Sequence, residues 1–241
     1  MPRPLQLGFG LIHGGFHGAW CWSEVVRRLA WPCAAVDLPG RTGSREQLAG
    51  ITYEDWVQSA TVQIGALAVD RLVIVAHSLG GITLPAVAER LSDKVRHCVF
   101  IAAVMPPEGR AFADLGHIAE AADGVWPKPP SEALERSLCN DMPPGSIDGL
   151  WPKLAQAEPL GPLRHAISRR TILRTPVTFI RALRDVTGCL GDLDAGDSPL
   201  RAEFPDATIE HVEAGHSLIM TAPDEVARLL TRIGKDVLRA G

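Results

Sequence analysis

The sequence predicts an α/β fold built on a parallel sheet, and three observations lead to it. Apolar runs of strand length alternate with amphipathic helical runs along most of the chain. The strand-length runs are continuously apolar, which is typical of parallel strands that helices cover on both faces. The length of 241 residues suits a single core of this kind. We therefore expect one mainly parallel sheet between two layers of helices.

The predicted strands and helices alternate in chain order. Strands are predicted at Leu5–Ile12, Cys33–Asp37, Leu72–Ala76, Cys98–Ala103, Val177–Leu183 and Thr208–Val212. Helices are predicted near Ala19–Leu29, Thr52–Ala68, Ile82–Leu91 and Pro223–Leu238. Because the carboxyl ends of parallel strands share one edge of the sheet, the loops that follow these strands are expected to form the site.

The alternation stops between residues 106 and 175. This segment is rich in proline, contains helical fragments at Ser131–Leu138 and Ile147–Gln156, and has no strong strand signal. We interpret it as an inserted cap over the carboxyl edge of the sheet, where ligands bind in open α/β folds. Residues 1–105 and 176–241 then form the predicted core. The apolar candidates for contact with a substrate in the cap are Trp126, Leu138, Met142, Trp151 and Leu154.

Composition argues against several classes of function. A formal net charge of −4 and the lack of a long basic run give no reason to expect a nucleic-acid partner. The N-terminal apolar stretch, Leu5–Ile12, is too short to span a membrane and lacks a cleavage site, so neither a membrane partner nor a leader is expected. The five cysteines are scattered and form no Cys-x-x-Cys pair, which argues against disulfides and metal sites and favours a cytoplasmic location.

A serine stands between a predicted strand and a predicted helix, in the stretch Ala76-His77-Ser78-Leu79-Gly80-Gly81. A serine at a sharp strand-to-helix turn, with small residues two positions before and after it, is the nucleophile elbow pattern. Here Ala76 stands where that pattern usually has glycine. The residues must be small because a larger side chain would collide with the neighbouring strand or helix. The helix start also directs backbone N–H groups at the space above Ser78, where an anion would form.

A serine hydroxyl is a weak nucleophile, so Ser78 requires a general base and an acid that orients the base. His216 is the candidate base, because it follows the last predicted strand on the edge that carries Ser78. Asp185 is the candidate acid, because it directly follows the strand predicted at Val177–Leu183. The alternatives for these roles are His97, His117, His165 and His211 for the base, and Glu108, Asp192, Asp194 and Asp197 for the acid.

Acyl transfer also requires two convergent backbone donors for the oxyanion. The N–H of Leu79 comes from the elbow. The N–H of Gly15 is the second candidate, because His13-Gly14-Gly15-Phe16 is a turn that follows the first strand. Glycine at this turn lets the backbone approach the reacting carbonyl closely.

Taken together, these residues resemble the α/β-hydrolase superfamily, and within it the branch of plant methylesterases, hydroxynitrile lyases and similar bacterial esterases. The order Ser78, Asp185, His216 is also that of the α/β-hydrolase triad. The resemblance implies a six-stranded, mainly parallel sheet with a small cap, serine chemistry on a small carboxylic ester through an acyl-enzyme, and no cofactor or metal. The motifs that carry the resemblance are His13-Gly14-Gly15-Phe16-His17-Gly18-Ala19-Trp20-Cys21-Trp22, Asp37-Leu38-Pro39-Gly40, Ala76-His77-Ser78-Leu79-Gly80-Gly81, Phe100-Ile101-Ala102-Ala103-Val104-Met105-Pro106 and Ala214-Gly215-His216-Ser217.

Two other functions remain open beside ester hydrolysis. One is a different reaction on the same triad, such as hydroxynitrile cleavage or amide or lactone hydrolysis, and the other is a ligand-binding, receptor-like hydrolase. The lyases that the chain resembles have threonine and lysine where this sequence has Gly14 and Ser217. We therefore expect Gly14, Phe16 and Ser217 to border the substrate of an esterase. A small-molecule ester is the expected partner, and a homodimer is left open.

Overall fold

A computed structural model describes residues 5–116, 118, 123–190, 193 and 198–240. Six strands form the main sheet in the order β2-β1-β3-β4-β7-β8, and every neighbouring pair in it is parallel. Two further strands, β5 and β6, pair antiparallel outside this sheet. The strands are β1 Leu7–Ile12, β2 Cys33–Ala35, β3 Arg71–His77, β4 Val95–Ile101, β5 Val125–Pro127, β6 Ala157–Pro159, β7 Val177–Ala182 and β8 Thr208–Val212.

Helices cover both faces of the main sheet. The α-helices are α1 Ser23–Val26, α2 Arg45–Ala49, α3 Tyr53–Gly65, α4 Leu84–Arg90, α5 Ser131–Leu138, α6 Ile147–Leu150, α7 Leu160–Leu163, α8 Pro199–Glu203, α9 Leu218–Thr221 and α10 Pro223–Arg239. Successive residues of β3 point to opposite faces, so Ile74 packs in the layer of α3 and α4 and Val75 packs in the layer of α1 and α10. The expected parallel sheet between two helical layers is therefore confirmed.

The register of the sheet brings several strand ends to one edge. Ile12 of β1 pairs with Ala76 of β3, and His77 at the end of β3 pairs with Ile101 at the end of β4. Ala182 at the end of β7 pairs with Val212 at the end of β8. The loops that follow these strands consequently meet at the carboxyl edge.

Two predicted helices are interrupted. The helix expected near Ala19–Leu29 divides into a 3-10 helix at Ala19–Trp22 and the short α1. The helix expected at Ile82–Leu91 is preceded by a 3-10 helix at Ser78–Ile82, and α4 begins only at Leu84. Pro85 in the first turn of α4 lacks the N–H that would continue the earlier turn, which accounts for this break.

We call residues 106–175, between β4 and β7, the inserted segment. Its helix Ser131–Leu138 has the predicted bounds. The helix expected at Ile147–Gln156 is shorter: α6 ends at Leu150 and a 3-10 helix follows at Trp151–Lys153. The segment has no strong strand signal, yet β5 and β6 pair here over three residues each. Four of their six positions, Pro127, Ala157, Glu158 and Pro159, are proline, glutamate or alanine, residue types that give little strand signal.

Two observations bear on the environment of the chain. Among the helices of the described residues, none is long and apolar enough to cross a membrane. The cysteines, which all fall within the described residues, are free, and Cys21, Cys98 and Cys139 are buried.

Candidate active site

The elbow at the end of β3 holds Ser78 in a strained conformation. Its φ is 51°, in the left-handed region that side chains other than glycine rarely adopt. The turn leaves no space for larger residues: a Cβ atom on Gly80 would lie 2.6 Å from the carbonyl oxygen of His13, and one on Gly81 would overlap the carbonyl oxygen of Val104. The sequence requirement for small residues thus has a direct steric cause.

Three strand ends bring a serine, a histidine and an aspartate into one hydrogen-bonded chain. The Oγ–H of Ser78 donates to Nε2 of His216 over 2.8 Å. The Nδ1–H of His216 donates to Oδ2 of Asp185 over 2.9 Å. A carboxylate can only accept, so this arrangement fixes the proton of a neutral His216 on Nδ1 and leaves Nε2 free to accept. His216 and the Asp185 side chain are nearly fully buried.

Thr187 holds the carboxylate of Asp185 from the other side. Its hydroxyl donates to Oδ1 over 2.7 Å and its backbone N–H donates to the same atom over 2.8 Å. Burial disfavours the charged form of Asp185, but the hydrogen bonds and charge of His216 and the bonds from Thr187 leave the pKa of the carboxyl lowered. Asp185 is therefore an anion at neutral pH. The sequence analysis did not identify Thr187, although its position two residues after the acid fits a local side-chain turn.

The loop that carries His216 is tied to two other parts of the chain. Nε2–H of His77 donates to the carbonyl oxygen of His216 over 2.9 Å. In the inserted segment, Asn140 Oδ1 accepts the N–H of His216 over 3.3 Å and Asp141 Oδ2 accepts the N–H of Gly215 over 2.6 Å. Burial holds the pKa of His77 well below its ordinary value, so this ring stays neutral and keeps the tautomer that the bond requires. Long-range contacts of this kind leave no signal in the sequence.

The turn after β1 lies against the elbow. A Cβ atom on Gly14 would lie 2.7 Å from Cβ of Ser78, and one on Gly15 would lie 3.2 Å from Cδ2 of Leu79. Among the described residues the N–H of Gly15 has no hydrogen-bond partner. The backbone of this turn therefore runs directly beside the serine, with a donor left available on the Leu79 side.

A buried carboxylate fixes the next residue of that turn. Phe16 has a φ of 61°, and its N–H donates to Oε1 of Glu158, which is fully buried in β6. Arg41 forms a two-bond ion pair with the same carboxylate and also donates to the carbonyl oxygen of His17 over 2.9 Å. Charged bonds with this fork geometry are among the strongest in proteins. Glu158 of the inserted segment thus orients the turn next to Ser78.

A largely apolar cavity of about 470 Å³ opens above Ser78. Of the predicted site residues, Gly15, Phe16, Leu79 and Trp126 line it together with Ser78 and His216. Leu138 also lines it, whereas Leu154 and Met142 do not and pack in the same apolar cluster as Leu138.

Three predicted substrate contacts lie off the cavity wall. Nζ of Lys128 lies 3.9 Å from the centroid of the Trp151 ring. The ring packs in the apolar cluster that includes Leu138 and Leu154. Ser217 is fully buried behind His216, and the backbone of Gly14 lies beneath Ser78. These three residues are therefore not among the described residues that line the cavity, and their contact with a substrate stays a prediction.

The alternative acids and bases lie elsewhere or outside the described residues. Glu108 accepts bonds from Ser168 and from the N–H of Arg169, and not from His216. His97 bonds Thr178 within the sheet, and His165 stacks on Tyr53 with ring centroids 4.1 Å apart. His211 is exposed on β8. The remaining alternatives, which fall outside the described residues, are His117, Asp192, Asp194 and Asp197.

One group of potential metal ligands lies among the described residues. Atoms of Asp185, Cys189 and His216 fall within 4.8 Å of one another. Asp185 and His216 already bond each other, and burial raises the pKa of the Cys189 thiol to about 11, which keeps it protonated at neutral pH. A metal ion would have to displace the Asp185–His216 hydrogen bond and a thiol proton.

The fold and the elbow define a class of protein, and comparison with known families agrees with it. The model of the alpha/beta hydrolase family matches residues 11–229. The chain therefore belongs to the alpha/beta hydrolase family, and the predicted α/β-hydrolase fold is confirmed.

Individual relatives carry names of esterases. The chain is 38% identical over 109 residues to the esterase PIR7B of Oryza sativa subsp. japonica, which covers 42% of this chain and 40% of that protein. It is 33% identical over 111 residues to a carbendazim hydrolyzing esterase of Nocardioides, which covers 44% and 46% of the two chains. The match thus spans less than half the length of these curated relatives.

A solved structure is similar over a greater length. An extracellular alpha/beta-hydrolase from a Paenibacillus species superposes with a TM-score of 0.78, at 18% identity, over 95% of this chain and 99% of that one. At this level of identity the likeness establishes the fold.

Proposed function

We propose that this protein is a serine hydrolase, a carboxylic ester hydrolase that cleaves small esters through an acyl-enzyme intermediate. The observation that carries the proposal is the continuous chain of hydrogen bonds from Ser78 through His216 to Asp185, which ends at an apolar cavity. The esterase names of the rice and Nocardioides relatives support the same reaction.

In the first half of the reaction, Ser78 Oγ attacks the ester carbonyl while Nε2 of His216 takes the hydroxyl proton. Asp185 stabilises the imidazolium that forms and keeps the ring oriented. The bond between the carbonyl carbon and the alkoxy oxygen then breaks, and His216 donates its Nε2 proton to the leaving alcohol. The acyl group stays on Ser78.

The negative charge on the carbonyl oxygen is stabilised by the N–H groups of Gly15 and Leu79 in this proposal. Both residues line the cavity beside Ser78, and the N–H of Gly15 has no partner among the described residues. Backbone donors that are fixed before the reaction stabilise a developing oxyanion without reorganisation, and one such donor contributes about 3 kcal/mol.

In the second half, water attacks the acyl-enzyme. His216 takes a proton from the water, the carbon–Oγ bond breaks, and the proton returns to Ser78. The acid leaves and the enzyme is regenerated without a metal or an organic cofactor. Apart from the ester and the water, these steps use only groups that the described residues supply.

The inserted segment, residues 106–175, is the proposed cap over a core formed by residues 1–105 and 176–241. Trp126, Leu134 and Leu138 of this segment line the cavity, which supports a role in selecting the size of the apolar part of the ester. Phe16 packs edge-on against Trp126, with ring centroids 5.1 Å apart, and would contact the same part of the substrate.

The alternatives of the sequence analysis receive less support. Hydroxynitrile cleavage would need a fixed positive charge beside the departing cyanide, and Gly14 and Ser217 supply none. A cytoplasmic location is supported by the five free cysteines, and the absence of a nucleic-acid partner by the net charge of −4. A homodimer stays a prediction that sedimentation velocity tests.

Hydrolysis of p-nitrophenyl esters by wild type and by Ser78→Ala tests the proposed function. We expect the variant to lose roughly 10³- to 10⁶-fold in turnover while keeping its melting temperature. A fluorophosphonate probe should label Ser78. The matched control is Ser137→Ala, which removes another hydroxyl from the cavity wall and should keep the label. An alanine variant at position 78 with more than a tenth of the wild-type turnover would exclude Ser78 as the nucleophile.

A further inference from the structure

The wall of the cavity contains one feature that ester hydrolysis does not use. Among the described residues that line it, Arg169 is the one side chain with a formal charge. The neighbouring wall is apolar and includes Met105, Phe112 and Leu200. Only 7% of the Arg169 side chain is exposed. A guanidinium in such a place is costly unless its N–H groups have partners.

The partners of Arg169 satisfy only part of its donor capacity. Nη2 donates to Oε2 of Glu203, whereas Nε is buried and has no partner among the described residues. A guanidinium has five N–H donors and no acceptor, and it stays protonated in proteins. Arg169 is therefore a buried donor, at the wall of the catalytic cavity, with hydrogen bonds still to make.

Among the described residues, the charges around Arg169 are balanced. Glu203 pairs with its guanidinium, and Glu108 lies 3.3 Å from Nε of Arg170 and accepts the backbone N–H of Arg169 over 2.7 Å. Two carboxylates thus offset two guanidinium groups. A group that binds here gains hydrogen bonds without meeting a net positive charge, which favours an uncharged oxygen acceptor over a carboxylate.

We propose that Arg169 is a substrate-recognition residue, and that the preferred ester carries an uncharged oxygen acceptor, such as a ketone or ether, remote from the scissile carbonyl. This inference rests on the proposed function for the identity of the substrate as an ester. The oxygen could belong to the acyl part or to the alcohol part, because the same cavity receives both. The rest of the ester is apolar, to match the remaining wall.

The test compares paired esters that differ by one oxygen. The acyl series is p-nitrophenyl hexanoate against its 4-oxo and 5-oxo derivatives, and the alcohol series is hexyl acetate against alkoxyethyl acetates of equal length. In wild type, kcat/KM for at least one oxygen-bearing ester should exceed that of its plain partner by roughly tenfold to a hundredfold. In Arg169→Met this ratio should fall to about one or below, because the oxygen would then be buried without a donor.

Arg170→Met is the matched control. It removes a guanidinium that faces the same Glu108, but its side chain is 79% exposed and does not line the cavity. The control should keep the wild-type ratio. An equal fall of the ratio in both variants would overturn the proposal in favour of a general charge effect. A preference for a carboxylate-bearing ester over the ketone would overturn the uncharged class.

Binding measurements separate this inference from the proposed function. Uncleavable N-methyl amides of hexanoic and 5-oxohexanoic acids can be titrated while the fluorescence of Trp126, which lines the cavity, is followed. Tighter binding of the oxo amide to wild type and not to Arg169→Met supports the subsite even if no ester is hydrolysed. If Arg169→Met does not fold, the double variant with Glu203→Gln removes the stranded carboxylate. No dependence on Arg169 in either the ester series or the amides would refute the inference.

Discussion

Two walls of the same cavity are built by different means. The core wall, formed by Gly15, Ser78, Leu79 and His216, follows strand ends whose backbone leaves no room for substitution. The inserted wall, formed by Trp126, Leu134, Ser137 and Leu138, consists of side chains on a short strand and on α5. Backbone geometry fixes atoms more closely than side-chain packing does. The difference supports our proposal that the core wall performs the chemistry and that the inserted wall selects the substrate.

The largest expected effect on this comparison comes from Asp185→Asn. The amide can donate to Nδ1 and so favours the wrong tautomer of His216, which should lower kcat by about 10⁴-fold. Glu108→Gln, which alters the other candidate acid, is the control and should lower kcat much less. Steady-state kinetics on one p-nitrophenyl ester measures both. If Asp185→Asn kept nearly the wild-type kcat and Glu108→Gln lost most of it, Glu108 and not Asp185 would be the acid.

Glu158→Gln should have the next largest effect. Glu158 lies in the inserted segment, and the substitution weakens its charged hydrogen bonds to Phe16 and Arg41 of the core. The amide leaves Arg41 partly buried without its counter-charge, and loss of one member of a buried pair costs roughly 3–5 kcal/mol. Urea denaturation should therefore show a lower free energy of unfolding. Turnover should also fall, since the Phe16 turn loses its anchor. Arg228→Gln, which breaks an exposed pair with Glu225, should cost less than about 1 kcal/mol.

One glycine-to-alanine substitution in each region tests whether the backbone is packed more tightly at the elbow than in the inserted segment. Gly81→Ala in the elbow would put a Cβ atom into the carbonyl oxygen of Val104 and should destabilise the fold by about 3 kcal/mol or more. Gly149→Ala in α6 meets nothing within 4 Å and should stabilise the fold by about 0.5–1 kcal/mol. Similar melting temperatures for the two variants would contradict the contrast between the walls.

The pH dependence of stability should contain a contribution from His17, beside the elbow. Burial lowers the pKa of His17 to about 4. Since the unfolded state, with a His pKa of about 6.5, binds the proton more readily, this contribution is fully present above pH 6.5 and is lost as pH falls toward 4. At pH 5 about 2 kcal/mol should be missing relative to neutral pH. His17→Asn keeps a donor for the Gly15 carbonyl and should flatten the dependence; an unchanged slope would argue against a buried, neutral His17.

The smallest effect concerns the two tryptophans. Trp126→Ala should enlarge the inserted wall and raise the ratio of kcat/KM for octanoate over butanoate esters by roughly fivefold. Trp151→Ala, off the cavity and against Lys128, should leave that ratio unchanged. A change of chain-length preference at Trp151 would mean that the inserted segment moves when substrate binds.

The sequence predicted those parts of the molecule that depend on neighbouring residues. The strands of the main sheet are continuous apolar runs, and the elbow is a local steric pattern, so both could be identified from the printed residues. The short strands β5 and β6 could not, because Trp126, Pro127, Glu158 and Pro159 carry no alternation that sets them apart from a loop.

The sequence analysis missed site residues whose partners are distant in the chain. Glu158 bonds Phe16 across 142 positions, and His77 bonds the carbonyl oxygen of His216 across 139. Trp151 was assigned to the pocket for its bulk alone, and bulk does not tell which side of the inserted segment a side chain faces. The buried pairing of a charged residue, as in Glu158 with Arg41, is decided by tertiary contacts.

The hydrogen bond from Ser78 to His216 joins residues that are 138 positions apart. On the ribosome, the elbow leaves the exit tunnel long before the histidine that would activate it. At a typical synthesis rate of about 5–20 residues per second, on the order of ten seconds pass between the synthesis of Ser78 and that of His216. A nascent chain that stalls in this interval has no base for Ser78, so the proposed reactivity toward esters can arise only after the final strand has joined the edge of the sheet.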